Sequence, residues 1–335
     1  MAGVTVSEAA AFIQLYSVYR KNNPPIKLSF NWRETRAKYK EIARRTLPMT
    51  IGGMIFPFAQ TVDSLLVVNI LQKRMAEAGA TAAYGLFTGY VSTLINLPIV
   101  LGLALGIAVI PQISKGKAER DVASIKQKSD VALKLAFAIG VPFAFLFLTI
   151  PDGILRFLYP GITPSELYVS SVLLQISAPS VIALSASQIH TSILQGVGSS
   201  YRTVKNMGIG AAVKVILDLV LLPVMGINGV AVASLACFFT TAVLNFLTVR
   251  RLMGVERKLY QNSGVILLSG VIMGGVITLV RLAAAGRPAL ILVSIGGALA
   301  YGLMLLAFKA FDESELLSLP FGKSLASFSK FITKG

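Results

Sequence analysis

Lys214 and Asp218 stand four positions apart inside an otherwise apolar run, GIGAAVKVILDLVLLPV (208–224). In a helix that spacing puts them on one face, where each can neutralise the other. An ionised side chain at membrane depth costs roughly 2.5–3.5 kcal/mol to insert, so it normally faces a cavity or a partner. Two readings follow. The pair holds helices together, or it is a cavity-lining charge that meets an anionic head group or takes part in gating. Asp63, with Gln60 one turn earlier, poses the same question in the run 46–71. A lone carboxylate there can bind a proton or cation, or accept hydrogen bonds from a neighbouring helix.

The run 167–195 carries Gln175, Gln188, His190 and Gln195. Gln188, Ser192 and Gln195 fall at i, i+4 and i+7, one stripe that faces water or another helix. His190 points elsewhere and reads as a structural hydrogen-bonding residue. Asn96 and Asn245 are single polar points in their own apolar runs. Asp130 and Lys134 form a second i,i+4 pair that reads as an interfacial anchor, and Asp152 and Arg156 repeat the spacing.

One cysteine, Cys237, excludes a disulfide framework and a cysteine metal cluster. One histidine argues against a His-ligated metal or a Ser/His/Asp triad. There is no GxxxxGK[ST] phosphate loop, no HExxH and no TVGYG filter. No enzyme, cofactor or metal is expected. The chemistry on offer is non-covalent, and its candidate residues are Lys214, Asp218, Asp63, Gln60, Asn96, Gln188 and Gln195.

The elements that must position these residues follow from composition. Of 335 residues, 55% are hydrophobic and only 14% charged, and mean hydropathy is +0.73. A soluble domain carries about 25% charged residues. A bilayer core about 30 Å thick takes roughly 20 apolar residues as a helix. Runs at 46–71, 83–110, 131–150, 167–195, 206–225, 229–249, 263–281 and 289–308 meet that test. The expected fold is all-α: a polytopic transmembrane bundle of about eight complete spans plus a partial N-terminal helix, Val4–Tyr19. That first stretch (1–19) reads as the end of a helix whose beginning is missing. Residues 20–45 have the composition of a basic amphipathic segment at the membrane surface, with Trp32 and Tyr39 among its bases.

Alternating the intervening loops puts 24 Lys and Arg on one side and five on the other, with Lys134 and Lys214 inside spans. By the positive-inside rule the basic side, with the tail 309–335, is cytoplasmic. The net charge of +16 is therefore explained by topology, and nucleic acid is not an expected partner. Pro48, Pro57, Pro98, Pro142, Pro179 and Pro223 lie within or at the ends of spans, where each tends to bend the helix.

Four stretches carry a likeness: ARRTLPMTIGGMIFPFAQTVDSLLV (43–67), LINLPIVLGLALGIAVIPQISK (94–115), HTSILQGVGSSYRTV (190–204) and AVKVILDLVLLPVMGINGVAVAS (212–234). Together they resemble the multidrug/oligosaccharidyl-lipid/polysaccharide exporter superfamily, and within it the stage V sporulation protein B type of polysaccharide-biosynthesis membrane protein. The resemblance implies two pseudo-symmetric lobes of six helices, with two further helices in the fourteen-helix branch. On that template 46–249 is the second lobe, 263–308 is the additional pair, and the first lobe is absent. A longer chain or a second chain would have to supply it. The implied activity is transfer of a lipid-linked polysaccharide or peptidoglycan precursor across the bacterial cytoplasmic membrane by alternating access, in spore cortex or cell-envelope synthesis. Lys214 is then the deep cation for the head group, with Asp63 and Asp218 as coupling or gating candidates. The alternatives are a multidrug/cation antiporter, which usually stops at twelve helices, and a non-transporting membrane scaffold.

Overall fold

The computed structural model describes residues 2–22, 32–73, 75–254, 263–283, 287–308, 310–312 and 315. The middle of the basic segment, Arg74, the loop bearing Arg257 and Lys258, Lys309 and the tail beyond 315 lie outside the described residues. The described chain is helical throughout. Its elements are α1 (Ala2–Asn22), α2 (Trp32–Leu71), α3 (Glu77–Leu86), a π-helical turn (Phe87–Ser92), α4 (Thr93–Ala118), α5 (Val122–Thr149) and α6 (Pro151–Leu158). They continue with α7 (Pro164–Ser177), α8 (Ser180–Gly196), α9 (Ser200–Met225), α10 (Ile227–Met253), α11 (Ser263–Ala283) and α12 (Arg287–Ala307).

The chain divides into two compact units, Met1–Leu47 and Pro48–Gly335. In the first, α1 exposes the side chains of residues 6–21, and Phe12 stacks on Tyr16 with ring centroids 6.3 Å apart. The second unit is the helix bundle.

Among the described residues six helices are long and apolar enough to cross a bilayer, and the α7–α8 pair makes a seventh if counted as one bent span. The eighth expected run corresponds to α12, 21 residues long. Two spans differ from the sequence expectation. The second is a continuous 42-residue helix, Glu77–Ala118, with the π-helical turn inside it. The fourth breaks by 45° between Ser177 and Ser180. Pro179 is the cause: it has no N–H to donate, and the backbone there falls back on short-range bonds such as Val181 N to Ala178 O (3.1 Å). Pro98 and Pro111, by contrast, sit inside α4 without ending it.

Half of the most apolar stretch of α5 is buried, against 22% for α2 and α9, so α5 is interior and those two are peripheral. α8 packs against α4, α5 and α10. In lipid there is little hydrophobic drive between helices, and close approach of small residues does the work instead. The serines of α8 provide it. A side chain at Gly106 would collide with Ser192, and one at Gly140 with Ser185. Buried amides then tie the seam. Asn206 donates to Asn245 (2.9 Å) and Thr248 (3.0 Å), and Asn245 donates to Ser187 (3.3 Å) and Thr191 (3.2 Å), joining α8, α9 and α10.

At one end of the bundle Ser114 and Lys117 of α4 donate to the carbonyls of Gly196 (3.1 Å) and Val197 (2.5 Å), so the α4–α5 and α8–α9 turns share that end. Lys115, Lys117, Arg120, Arg202 and Lys205 are exposed there.

The tightest approach is between α9 and α10, where a Cβ on Gly210 would lie 2.9 Å from the Cys237 carbonyl and overlap the Thr241 hydroxyl. Gly210→Val is expected to lower stability by about 1–3 kcal/mol through overpacking. Gly275→Ala, with open space around it, should leave stability unchanged. Unfolding of purified protein in mixed micelles would read both.

Candidate functional site

α2, the π-helical turn and α4 on one side, and α8, α9 and α10 on the other, surround a pocket of about 430 Å³. Its rim carries exposed polar residues, Gln60 of α2, Thr88 of the π-helical turn and Asn96 of α4. The π-helical turn lines the pocket through Phe87, Thr88, Val91 and Ser92. Wider helical turns of this kind concentrate at functional positions because they displace side chains that an α-helix would hold in register. The Tyr84 hydroxyl donates to the Gln60 carbonyl (3.1 Å), which ties α3 to α2 beside the opening.

The floor is charged. Lys214 extends its ammonium between two carboxylates, 2.9 Å from Asp63 Oδ2 and 2.9 Å from Asp218 Oδ2. Asp63 is 2% exposed, Lys214 6% and Asp218 0%, so water screens none of the three. Close approach at Gly210 makes this possible, since it lets α9 press Lys214 towards Cys237 and Phe238 of α10, which also line the pocket. Asp218 is on the same helical face one turn later, and Asp63 arrives from α2.

With all three groups ionised the cluster carries one net negative charge. Desolvated charges of this kind persist only when paired and hydrogen-bonded. One oxygen of each carboxylate, Asp63 Oδ1 and Asp218 Oδ1, is buried and without a hydrogen-bond partner among the described residues. The arrangement can therefore do two things. It pins α2 to α9, and it has acceptor capacity for one further positive charge. The hydroxyls of Ser177 and Ser180, at the α7–α8 break, also line the pocket and are likewise buried without partners among the described residues.

Of the residues singled out from sequence, Lys214, Asp63, Gln60, Asn96 and Gln188 line one pocket, with Asp218 bonded behind Lys214. Gln195 is not among the lining residues. It lies at the far end of α8, beyond Ser192, whose side chain packs on Gly106. His190 is buried away from the pocket with its ring edge against Phe246, centroids 6.0 Å apart. Gln175 donates to the Leu148 carbonyl (3.2 Å). Asp152 pairs with Arg281 at 3.1 Å rather than with Arg156, because α11 brings its guanidinium across. Sequence reasoning passed over Tyr84, Ser177, Ser180, Cys237 and Phe238. Pro179 was the one available signal, since a proline break frees the hydroxyls flanking it.

Comparison with known proteins agrees with this architecture. The chain is 26% identical over 326 residues to the membrane protein YabM of Bacillus subtilis (strain 168), covering 93% of the chain and 59% of that protein. It is 22% identical over 329 residues to stage V sporulation protein B of the same organism, covering 96% of the chain and 62% of that protein. The chain thus spans about three-fifths of the length of these relatives. Among solved structures, lipid II flippase MurJ in an inward closed conformation shares the fold with a TM-score of 0.62 at 16% identity, over 84% of this chain and 56% of that one. An outward-facing multidrug resistance MATE family transporter of the MOP superfamily shares it with a TM-score of 0.52 at 18% identity, over 88% and 69%. The sequence profile of the family described as lipid II flippase MurJ matches residues 1–294, nearly nine-tenths of the chain, and the chain belongs to that family.

Proposed function

We propose that this chain forms the second lobe of a flippase that moves a lipid-linked, pyrophosphate-bearing peptidoglycan or polysaccharide precursor from the inner to the outer leaflet of a bacterial cytoplasmic membrane. The observation that carries the reading is membership of the lipid II flippase MurJ family over residues 1–294. Relatives of greater length support a first lobe supplied by further chain or by a second chain, and the two lobes together would enclose the head group. The pocket supports a place for that lobe: its rim is polar and exposed on Gln60, Thr88 and Asn96, while its floor is charged.

Lys214 is charge-compensated as it stands, which favours gating over standing contact with a head group. Drawing α2 away would take Asp63 with it, leaving the ammonium with a single carboxylate and free to donate to pyrophosphate oxygens. Uptake of one proton on Asp63 or Asp218 would loosen the same contact. The cluster is thus a latch whose strength depends on the helix separation that alternating access requires.

In proteoliposomes holding the complete transporter, Lys214→Ala is expected to cut precursor translocation at least about tenfold, a change in barrier of about 1.4 kcal/mol. A wild-type rate would remove Lys214 from the mechanism. Asp63→Asn leaves a neutral Lys214–Asp218 pair. It should flatten whatever dependence on pH and membrane potential the parent shows, and an unchanged dependence would argue against ion coupling there. Export of cationic dyes without precursor movement would instead support the antiporter reading, with which the shared MATE fold is compatible.

Membrane orientation has its own test. The basic end, with exposed Lys117, Arg120 and Arg202, is assigned to the cytoplasm. Cys237 is buried on the pocket wall and is replaced by Ser so that it gives no background labelling. In intact cells a membrane-impermeant maleimide should label Gly161→Cys and spare Arg120→Cys. The opposite pattern would invert the assignment.

A further inference from the structure

We propose that α11, α12 and the segment that follows them are fastened to α5 at three levels of the membrane and move with it as one rigid body. This rests on contacts distinct from the pocket and holds whichever substrate is carried.

At the basic end, Lys134 of α5 is nearly buried and contacts two carboxylates. Asp130, on its own helix, is at 2.7 Å, and Glu315, from beyond α12, is at 2.9 Å. The second oxygen of Glu315 accepts the Asp312 backbone N–H (2.8 Å), which sets the carboxylate in place. Ala310 and Phe311 are buried in the same apolar cluster as Leu133, Ala136 and Phe137 of α5. Ala310, Phe311 and Glu315, which follow α12, therefore lie against α5.

At mid-membrane, α11 lies against α5 through glycine. A Cβ on Gly270 would overlap Val141 and lie 2.7 Å from the Phe145 ring, and one on Gly274 would lie 3.0 Å from it. Met273 and Ile277, beside Gly274, are fully buried. α12 joins the unit through Gly297, where a Cβ would lie 2.8 Å from Ile277. At the opposite end, Arg281 of α11 donates to the Thr149 carbonyl that ends α5 (2.8 Å) and to Asp152 (3.1 Å).

One mid-level contact would leave the helix pair free to rock or slide, because packed helices shear past one another at low cost. Ionic anchors at both ends, with close packing between, remove tilt and sliding together. α5 is half buried in its most apolar stretch, more than the other unbroken spans, and it packs against the still more buried α8, so whatever is fixed to it is fixed to the core. The opening of the pocket is then left to the rim helices.

The test uses the full chain in lipid nanodiscs. Spin labels go on cysteines introduced at Leu148 and Leu299, both exposed, with Cys237 replaced by Ser. Pulsed dipolar spectroscopy should return one narrow distance between α5 and α12 in the parent. Glu315→Gln keeps Lys134 paired with Asp130, removes the inter-element charge, and should shift the distribution to longer and broader distances. The swap Lys134→Glu with Glu315→Lys should restore the narrow peak. If Glu315→Gln fails to assemble, Asp152→Asn at the exposed end supplies the reading and should also broaden the peak. A bimodal parent, or variants as narrow as the parent, would overturn the rigid-body assignment.

Discussion

An ammonium group at membrane depth has to be surrounded by carboxylates, and this requirement organises the bundle twice. Lys214 holds Asp218 on its own helix and Asp63 on α2, while Lys134 holds Asp130 on its own helix and Glu315 beyond α12. In both cases one partner is local, four residues away, and the second comes from a distant element. The local carboxylate neutralises the charge, and the distant one turns it into a fastening. Because lipid offers no competing hydrogen bonds or screening, each fastening has more consequence than a surface ion pair would have in water.

The two clusters differ in their surroundings. Around Lys134 the neighbours are packed apolar residues, Ala310 and Phe311 among them. That cluster joins parts that stay together. Around Lys214 the space opens into the pocket, with a polar rim and, at the α7–α8 break, serine hydroxyls that have no partner among the described residues. Its partner Asp63 rides on α2, which is largely exposed. A contact between two peripheral helices, α9 and α2, beside a cavity, is placed where a change in helix separation would be felt first. Under the readings proposed above, the same chemistry acts as a bolt in one setting and as a latch in the other.

Small residues decide where helices come close enough for this. α8 presents serines to glycines on α4 and α5, and α9 presents Gly210 to Thr241 and Cys237. The Asn206–Asn245 network then holds α8, α9 and α10 in register. The proline break at 179 and the π-helical turn at 87–92 interrupt this regular packing beside the pocket. Irregular backbone is tolerated at membrane depth where it lines a cavity, which is where it occurs here.

The sequence by itself determined the fold class, the approximate spans and the family likeness, because the need for about 20 apolar residues per crossing leaves a periodic trace in composition. It also determined the local halves of both charge clusters, since an i,i+4 spacing is a property of a single helix. The meeting of Asp63 with Lys214, of Glu315 with Lys134 and of Arg281 with Asp152 was decided only by the tertiary structure. Each joins residues more than a hundred positions apart, and the hydropathy pattern that places a helix in the membrane says nothing about which face it turns to which neighbour. For the same reason Gln195 looked equivalent to Gln188 on a stripe, yet the pocket reaches only one of them. A helical stripe runs the whole length of α8, whereas a pocket occupies one level of the membrane.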